Sequence, residues 1–210
     1  MKKIMSKNAI RISIVSIILS ILVSCEKDYE MTFSSPGVPV DMGLSVKWAS
    51  CNVGAHSPEE SGDRFAWGEV MPKKNYSKEN YTYHLNPAIL PPNADAATAN
   101  WGGKWRMPTK AEQDELRNNC TWTWTTQNGV NGYKVTSKSN GNYIFLPAAG
   151  HRGGSSLCGV GSYGRYWSSS LYTDGPDGPD GACGLSFLSV DVSWSSDYRY
   201  YGHSVRPVCQ

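Results

Sequence analysis

The best-defined element of this 210-residue chain is one short helix, and the residues on either side of it restrict the fold. Thr109 and Glu112 form a capping box, in which the threonine oxygen and the glutamate carboxylate satisfy amide donors that a helix start leaves free. Asn118-Asn119-Cys120 ends this helix. Several prolines within 57–100 forbid long elements there, and the sequence after Thr121 is typical of β-strands. The pattern predicts an α+β domain with few helices and antiparallel strands.

Alternating and apolar runs locate the strands. Residues 44–50 alternate between apolar and polar types, which indicates a half-buried strand, and 143–147 have the composition of a buried central strand. Asn128-Gly129 and Asn131-Gly132 are both predicted to be hairpin turns. Residues 205–209 read as a closing strand, and the proline at 207 favours an edge position for it.

A further strand with one buried face is predicted near the C-terminus. Val190, Val192 and Trp194 alternate with polar residues, so we expect all three side chains on one buried face. The apolar residues that precede them are out of phase, which predicts a bulge or turn near Leu188-Ser189. Apolar or motif contexts place three tryptophans in the predicted core: Trp105, Trp167 and Trp194.

The N-terminus has the order of a bacterial lipoprotein signal. A positively charged start precedes an apolar run over 12–23, which is too short to span a bilayer comfortably. Leu22-Val23-Ser24-Cys25 resembles a lipobox, in which cleavage precedes the cysteine and lipid is attached to its sulfur. An uncleaved membrane anchor is the alternative. We therefore expect a signal peptide over 1–24, lipidated Cys25 with a tether over 25–39, and a domain over 40–210.

The residues after the lipobox predict where the protein is located, and its net charge indicates which partners to expect. The acidic stretch Glu26–Glu30 resembles the surface-export signal of Bacteroidetes lipoproteins, so we expect an outer-membrane protein that faces the cell exterior. The net charge of +2, with four histidines, gives no electrostatic basis for binding nucleic acid. The cysteine spacings match no zinc motif. We expect no cofactor and no metal.

Four motifs, in order along the chain, resemble the Fibrobacter succinogenes major paralogous domain, which occurs in many Bacteroidetes lipoproteins. The motifs are Val40–Ala49, Phe65–Glu69, Trp101–Glu112 and Ser204–Val208, and the resemblance covers about 40–209. Through the helix start and the closing Arg-Pro-Val, the chain is also similar to the formylglycine-generating-enzyme branch of the C-type lectin fold. The resemblance implies a compact C-type-lectin-like domain whose first and last strands pair.

The resemblance also bears on the cysteines. The enzyme of that branch oxidises a sulfatase cysteine with a pair of neighbouring cysteines, and no pair here matches it. If the first and last strands pair, Cys51 and Cys209 come within disulfide reach, with Cys120 as a competing partner for either. Cys158 and Cys183 are expected to be incidental loop residues.

Calcium-dependent sugar binding is the nearest other property of the fold. Lectins of this fold use Glu/Gln-Pro-Asn/Asp and Trp-Asn-Asp motifs, and neither is present in this chain. Asp174, Asp177 and Asp180 are three residues apart with Gly and Pro between them, whereas calcium loops place oxygen ligands at alternate positions. Turn chemistry explains all three aspartates.

The segment 151–203 has the composition of a binding surface. It lacks Lys, Glu, Gln, Asn, Met and Ile, and is rich in Tyr, Ser, Gly and Asp, as antibody paratopes are. An ordinary outer sheet face is the alternative. Some proteins of the C-type lectin fold are diversified by retroelements that randomise adenines of Asn codons, which never yields Lys, Glu, Gln or Met. Diversification and ordinary drift both remain open for this segment.

The sequence therefore predicts a non-enzymatic surface lipoprotein that binds an external protein or glycan. The alternatives are an oxidase of the formylglycine-generating type and a pilus-tip or envelope structural subunit. The predicted ligand contacts all lie in the C-terminal segment: Tyr163, Arg165, Tyr166, Tyr172, Asp174, Asp197, Tyr198, Tyr200, Tyr201 and His203.

Overall fold

The computed structural model of the chain describes residues 37–173 and 180–210. The predicted signal peptide, the predicted lipidation residue Cys25 and the predicted contact Asp174 lie outside the described residues. The first described element begins at Pro39, which is one residue before the predicted start of the domain.

The described residues form an α+β domain, as predicted, with antiparallel pairing within each sheet. The helices are α1 (Ala96–Trp101) and α2 (Lys110–Asn119), and Lys78–Asn80 and Pro92–Ala94 are short 3-10 helices. The strands are β1 (Pro39–Val40), β2 (Lys47–Ala49), β3 (Cys120–Gln127), β4 (Val130–Ser137), β5 (Tyr143–Pro147), β6 (His151–Gly153), β7 (Ser156–Cys158), β8 (Tyr163–Leu171), β9 (Gly181–Leu188), β10 (Asp191–Tyr198) and β11 (Val208–Cys209).

Helix α2 confirms the predicted capping box. Thr109 Oγ1 accepts the Glu112 amide at 3.2 Å, and Glu112 Oε2 accepts the Thr109 amide at 2.8 Å. The same carboxylate receives both terminal nitrogens of Arg106, at 2.6 and 2.8 Å. The first acidic residue of the helix is therefore committed to capping, which also explains why it is not free for catalysis.

Helix α1 lies in the stretch that the prolines led us to predict as irregular. Its N-cap is Asp95, whose Oδ1 accepts the Thr98 amide at 2.9 Å. Asp95 is buried and also accepts the Met107 amide, at 2.8 and 3.1 Å from its two oxygens. This carboxylate therefore starts α1 and fixes the segment before α2 at the same time.

The first hairpin confirms one predicted turn and corrects the other. Asn128 and Gly129 both have positive φ and connect β3 to β4, as a two-residue hairpin turn requires. Asn131-Gly132, predicted to be a turn, lies inside β4. Gly132 pairs with Pro147 of β5, and a Cβ at this glycine would lie 2.3 Å from the Leu146 carbonyl oxygen. The glycine thus allows close approach of the two backbones.

Two three-stranded sheets, β3-β4-β5 and β10-β9-β8, pack face to face. Tyr166 of β8 donates its hydroxyl to the Pro147 carbonyl of β5 at 2.7 Å. Tyr133 of β4 donates its hydroxyl to the Leu188 carbonyl of β9 at 3.0 Å. The Tyr133 and Phe187 rings meet edge to face, with centroids 5.3 Å apart. Within the described part of the chain, β10 pairs with β9 alone, so it is an edge strand.

The sheet β8–β10 separates two hydrophobic clusters. Tyr166, Leu185 and Phe187 belong to the cluster shared with β3–β5. Trp167 and Ala182 belong to a second cluster, on the other face of the sheet, together with residues of α1 and of the loop before it. This second cluster covers only one end of that face, and the other end carries polar side chains.

The two ends of the domain meet in the sheet β1-β2-β11, which agrees with the pairing implied by the resemblance. Arg206, just before β11, is 1% exposed. Its Nε donates to Asn52 Oδ1 at 2.8 Å, and its terminal nitrogens donate to the carbonyls of Ala49, Ser50 and Phe145 at 2.9–3.1 Å. The guanidinium therefore joins the β2 segment, β5 and the C-terminus.

Val192 and Trp194 share a face of β10, as predicted, but the predicted burial of Val190 and Trp194 is wrong. Val190 lies in the turn after β9 and is 88% exposed, and Trp194 is 39% exposed. Val192 is half-buried against the cluster that contains Phe187. The predicted turn is confirmed, because Leu188 pairs with Asp191 across the two residues between them. Trp105 and Trp167 are buried, as predicted.

The predicted Cys51–Cys209 disulfide is also wrong. Both side chains are buried in one hydrophobic cluster, but no disulfide joins cysteines of the described residues. The Cys51 thiol donates instead to the Ala55 carbonyl at 3.5 Å, and burial raises its pKa. Cys120, the competing partner, lies in the other cluster.

Replacing Arg206 by Leu should lower the free energy of unfolding by about 3 to 5 kcal/mol, because four buried oxygen acceptors lose their donors. Urea unfolding of the full chain measures the change. Arg117→Leu is the matched control, since this surface arginine forms one ion pair with Asp114 and should cost less than about 1 kcal/mol. Equal losses in the two variants would contradict a central role for Arg206.

The different exposure of Trp167 and Trp194 predicts different losses of stability when each is replaced. Trp167→Ser should cost about 3 kcal/mol or more, because a fully buried indole is removed. Trp194→Ser should cost about 1 kcal/mol or less, because its ring already meets solvent. Thermal unfolding of the two variants compares them, and similar melting temperatures would contradict the exposed position of Trp194.

Candidate functional site

The candidate site extends from the uncovered, polar part of the sheet β8–β10 to the end of β10 that pairs with Gly181. Residues directly opposite one another in neighbouring strands share a face. Arg165 therefore shares a face with Ser186 and Ser193, its successive partners across the sheet. Tyr163 lies one pair further along the same face. Because serine side chains are short, they leave a shallow depression on this part of the sheet, and the longer side chains of Tyr163 and Arg165 lie beside it.

Three tyrosines at the end of β10 form a ring cluster, which we call the tyrosine platform (Tyr198, Tyr200 and Tyr201). The rings of Tyr198 and Tyr200 stack with centroids 5.2 Å apart and an interplanar angle of 11°. Tyr201 meets both edge to face, at 4.9 Å from Tyr200 and 5.8 Å from Tyr198. Tyr198 is 38% exposed and the other two are half-buried. Each ring is thus held by its neighbours while part of the cluster meets solvent.

His151 of β6 connects this platform to β8. Its Nδ1 lies 2.7 Å from the Tyr163 hydroxyl, and its ring centroid is 5.5 Å from that of Tyr201. Burial lowers the pKa of His151, and the nearby charges of Arg165 and Arg64 lower it further, while Asp197 acts in the opposite direction. We infer a neutral imidazole near pH 7.

Arg165 and Asp197 form an ion pair across the polar face of the sheet. His203 is buried beneath them, with Nε2 3.3 Å from Asp197 Oδ2 but outside hydrogen-bond geometry. Its ring stacks on Trp167 at 3.8 Å. Burial lowers the pKa of His203 to about 4. Burial disfavours ionised Asp197, but His203 and Arg165 outweigh this and lower the pKa of the carboxyl.

The structure brings together six of the predicted contacts and separates three others. Tyr163, Arg165, Asp197, Tyr198, Tyr200 and Tyr201 lie in or beside the site. Tyr166 and His203 are 1% and 2% exposed, so they support the site from below and are no part of its surface. Tyr166 is next to Arg165 in a strand, and the period-two rule already places the two side chains on opposite faces.

Tyr172, another predicted contact, lies in a different group. Its ring is 5.8 Å from that of Trp194. Lys110 of α2 lies with its Nζ 4.8 Å from the Trp194 ring centroid and pairs with Asp114 at 2.7 Å. Trp194 shares a face with Leu185, which belongs to the core side of the sheet. Among the described residues, no ring contact joins Tyr172 to the tyrosine platform.

Sequence reasoning missed His151 as part of the site. The residue begins the segment whose composition was informative, but a single histidine carries no pattern. Its position became visible only through the pairing of β6 with β7 and the bridge between Arg152 and Gly202, which brings His151 beside Tyr201. A contact that depends on non-local pairing has no signal in the linear sequence.

The cysteines and acidic residues form no further centre in the described residues. Cys158 is exposed in β7, whereas Cys183 is buried in β9 with its thiol 3.6 Å from the Leu171 carbonyl. Both lie in strands, which corrects their assignment to loops. Over 37–173 and 180–210, no group of three His, Cys, Asp or Glu residues is arranged to hold a metal ion. None of the helices described has the length and apolar character needed to cross a membrane.

Comparisons with protein families, with curated proteins and with solved structures find no match to this chain.

The buried histidine predicts a loss of stability in acid. The pKa of His203 is about 4 in the folded chain and near 6.5 when unfolded, so the unfolded state takes up the proton first. Stability should therefore fall by about 3 kcal/mol as pH drops from 6.5 to 4. Asp197 adds a loss at still lower pH, because its pKa is lowered by folding. Urea unfolding across this range measures the effect.

His203→Gln is the control for this prediction. The variant has no imidazole to protonate, so its stability should vary much less between pH 6.5 and 4 than that of the unmodified chain. His56→Gln should change nothing, because His56 is exposed. An unchanged pH dependence in His203→Gln would contradict the assignment.

Proposed function

We propose that this chain is a surface-anchored lipoprotein that binds an external ligand, a protein or a glycan, through the tyrosine platform and the adjoining Tyr163, Arg165 and Asp197. The observation that carries the proposal is the platform itself. Its rings contact one another at 4.9–5.8 Å and are partly exposed. Tyrosine offers a large, stiff contact area at low entropic cost, and a platform already assembled loses little freedom on binding.

The polar groups beside the platform supply directional contacts. Arg165 and Asp197 are held by each other and are half-buried, so a hydrogen bond from either to a ligand forms in a partly desolvated place. His151 has Nδ1 engaged by Tyr163, which leaves Nε2 for a ligand or solvent. Serines 186 and 193 leave room above the sheet. A shallow surface with rigid aromatic and small polar groups suits recognition of another surface.

The anchor and the finer fold belong to the same proposal. The lipobox-like sequence before Cys25 supports lipid attachment, and the acidic residues after it support export to the cell exterior. The paired ends of the chain and the capped helix after Trp105-Arg106 support a C-type-lectin-like fold of the paralogous-domain type. We propose no enzymatic activity, since the sequence lacks a match to the neighbouring cysteine pair of the oxidase. Cys158 and Cys183 lie on different strands, one exposed and one buried.

The double variant Tyr198→Ser with Tyr200→Ser tests the proposal. The full chain in detergent is first screened on arrays of glycans and of bacterial and host surface proteins, and affinity is then measured for each positive. The double variant should bind at least tenfold more weakly, because truncating an aromatic anchor costs about 2 kcal/mol. Its stability should fall by about 1 to 2 kcal/mol, because Tyr198 is exposed while Tyr200 packs against the buried cluster of Ala66, Tyr76 and Tyr81.

Tyr143→Ser is the matched control. Tyr143 is 51% exposed on β5 and contacts Lys134, away from the platform. Its replacement should leave binding unchanged. Binding that survives the double variant, or that falls equally in the control, would remove the platform from the proposal. Loss of folding in the double variant would show that the rings are structural.

A further inference from the structure

Two arginines outside the proposed contact surface lie on neighbouring strands and face the same way. Phe65 bridges His203, and Arg152 bridges Gly202, so the 202–203 segment runs between the chains that carry Arg64 and Arg152. Side chains alternate along each strand and partners share a face. Arg64 therefore shares its face with Gly202 and Arg152. This face is opposite to the one that carries His151.

The space between the two arginines is shaped by a glycine and a tyrosine. Gly202 has no side chain, and the Tyr76 ring occupies its surface, 2.7–2.8 Å from where a Cβ would lie. Tyr76 is buried and donates its hydroxyl to the Arg64 carbonyl. Its pKa is raised by burial and lowered by both arginines, so both charges act on its hydroxyl. The buried ring forms a fixed wall beside the two arginines.

The positive charges of this pair are not balanced. Neither Arg64 nor Arg152 forms an ion pair with a carboxylate of the described residues. Asp63 is the adjacent carboxylate, and its effect on the pKa of Arg64 is smaller than that of Arg152, which lowers it. Arg165, by contrast, has Asp197 as its partner. Two half-buried cations within interaction range of each other repel, so the pair is electrostatically incomplete.

Several donors of the pair are also unused. A terminal nitrogen of Arg64 donates to the Ala149 carbonyl, while its Nε is buried without a hydrogen-bond partner. Nη1 of Arg152 donates to the Ser155 carbonyl at 3.2 Å. Among the described residues, no other hydrogen bond engages either guanidinium group. Guanidinium groups bind phosphate and sulfate oxygens with two parallel hydrogen bonds, and two forks suit a group with three terminal oxygens.

We propose that Arg64 and Arg152 form an oxyanion site for a sulfate or phosphate monoester, next to the tyrosine platform, whose Tyr200 packs against the cluster that contains Tyr76. The ester oxygens lie between the two guanidinium groups, beside the Tyr76 ring, and cancel their mutual repulsion. A sulfated saccharide and a phosphorylated lipid headgroup share this chemistry. The site extends the proposed function by adding a second contact of defined charge, and it does not depend on the platform.

Binding is measured by calorimetry on the full chain in detergent, with N-acetylglucosamine 6-sulfate and glucose 6-phosphate as monoester probes. Inorganic sulfate and uncharged N-acetylglucosamine are the reference compounds. Vesicles of phosphatidylcholine with and without phosphatidic acid form the lipid arm. Arg152→Gln should weaken binding of at least one monoester or of the acidic vesicles tenfold or more, and Arg152→Lys should weaken it less. Arg117→Gln removes the same charge from helix α2 and should have no effect.

His151 supplies a second readout. Because the charge of Arg64 contributes to its lowered pKa, an anion at the pair should raise the pKa of His151, as followed by NMR, and Arg152→Gln should reduce that rise. Tight binding of acidic vesicles alone identifies a lipid headgroup, and tight binding of a soluble monoester identifies a free ester. Inorganic sulfate that binds as tightly as both esters means an adventitious ion only and overturns the site.

The same data separate this inference from the proposed function. Ligands that bind through Tyr198 and Tyr200 with no effect of Arg152→Gln would overturn the oxyanion site and leave the platform standing. Monoester binding that needs Arg152 and ignores the double tyrosine variant would support the site while the platform fails. No binding of any monoester or acidic vesicle overturns the site directly.

Discussion

The fold depends on a buried positive charge held by neutral oxygens. Arg206 reaches three separate segments, through Asn52 with Ala49 and Ser50, through Phe145, and through its own place in the chain before β11. Burying an isolated cation has a large desolvation free energy. For Arg206, hydrogen bonds offset that free energy only when all of these acceptors are in place. The first and last strands, which are more than 150 residues apart, must therefore close together around it. Asn52 extends the tie by donating to the Ser61 carbonyl at 2.9 Å.

A buried negative charge organises the segments around α1 in a similar way. Asp95 accepts the amides of Thr98 and Met107, so one carboxylate caps α1 and orients the segment that leads into α2. Burial raises its pKa, and these amide donors act against the rise. Arg206 and Asp95 both form their hydrogen bonds with uncharged groups. These hydrogen bonds fix the segments around which the two hydrophobic clusters pack. The sheet β8–β10 lies between those clusters, and the tyrosine platform follows the end of β10 that pairs with Gly181.

The sequence predicted what depends on local chemistry and failed where distant segments decide. The capping box of α2 and the Asn128-Gly129 turn need only neighbouring residues, and both are confirmed. Trp194 shows the limit, because alternation places it on the core side with Leu185 but does not reveal that β10 is an edge strand, where this ring stays partly exposed. Gly132 shows a second limit, since the glycine serves the close approach of β5 and makes no turn. Helix α1, only six residues long, is too short for a periodic signal.

The candidate site was predictable to a similar extent. Six of the residues selected by composition lie together, but Tyr166 and His203 point into the interior. Parity along β8 would have separated Tyr166 from Arg165. Parity gives no help with His151, which enters the site through strands that meet only in the folded chain. Ligand identity has no local signature at all, because a ligand is recognised by the sum of side chains from several strands.

The position of β10 at the edge of its sheet has a consequence for how this surface can change over generations. Only one side of its backbone is committed to a neighbour in the described chain, and half of its side chains face away from the core. An exposed residue such as Asp191 can be replaced there without disturbing a second ladder or leaving a cavity. The fold is thus fixed by β2, β5 and β11, while exposed positions of the outermost strand can change over generations.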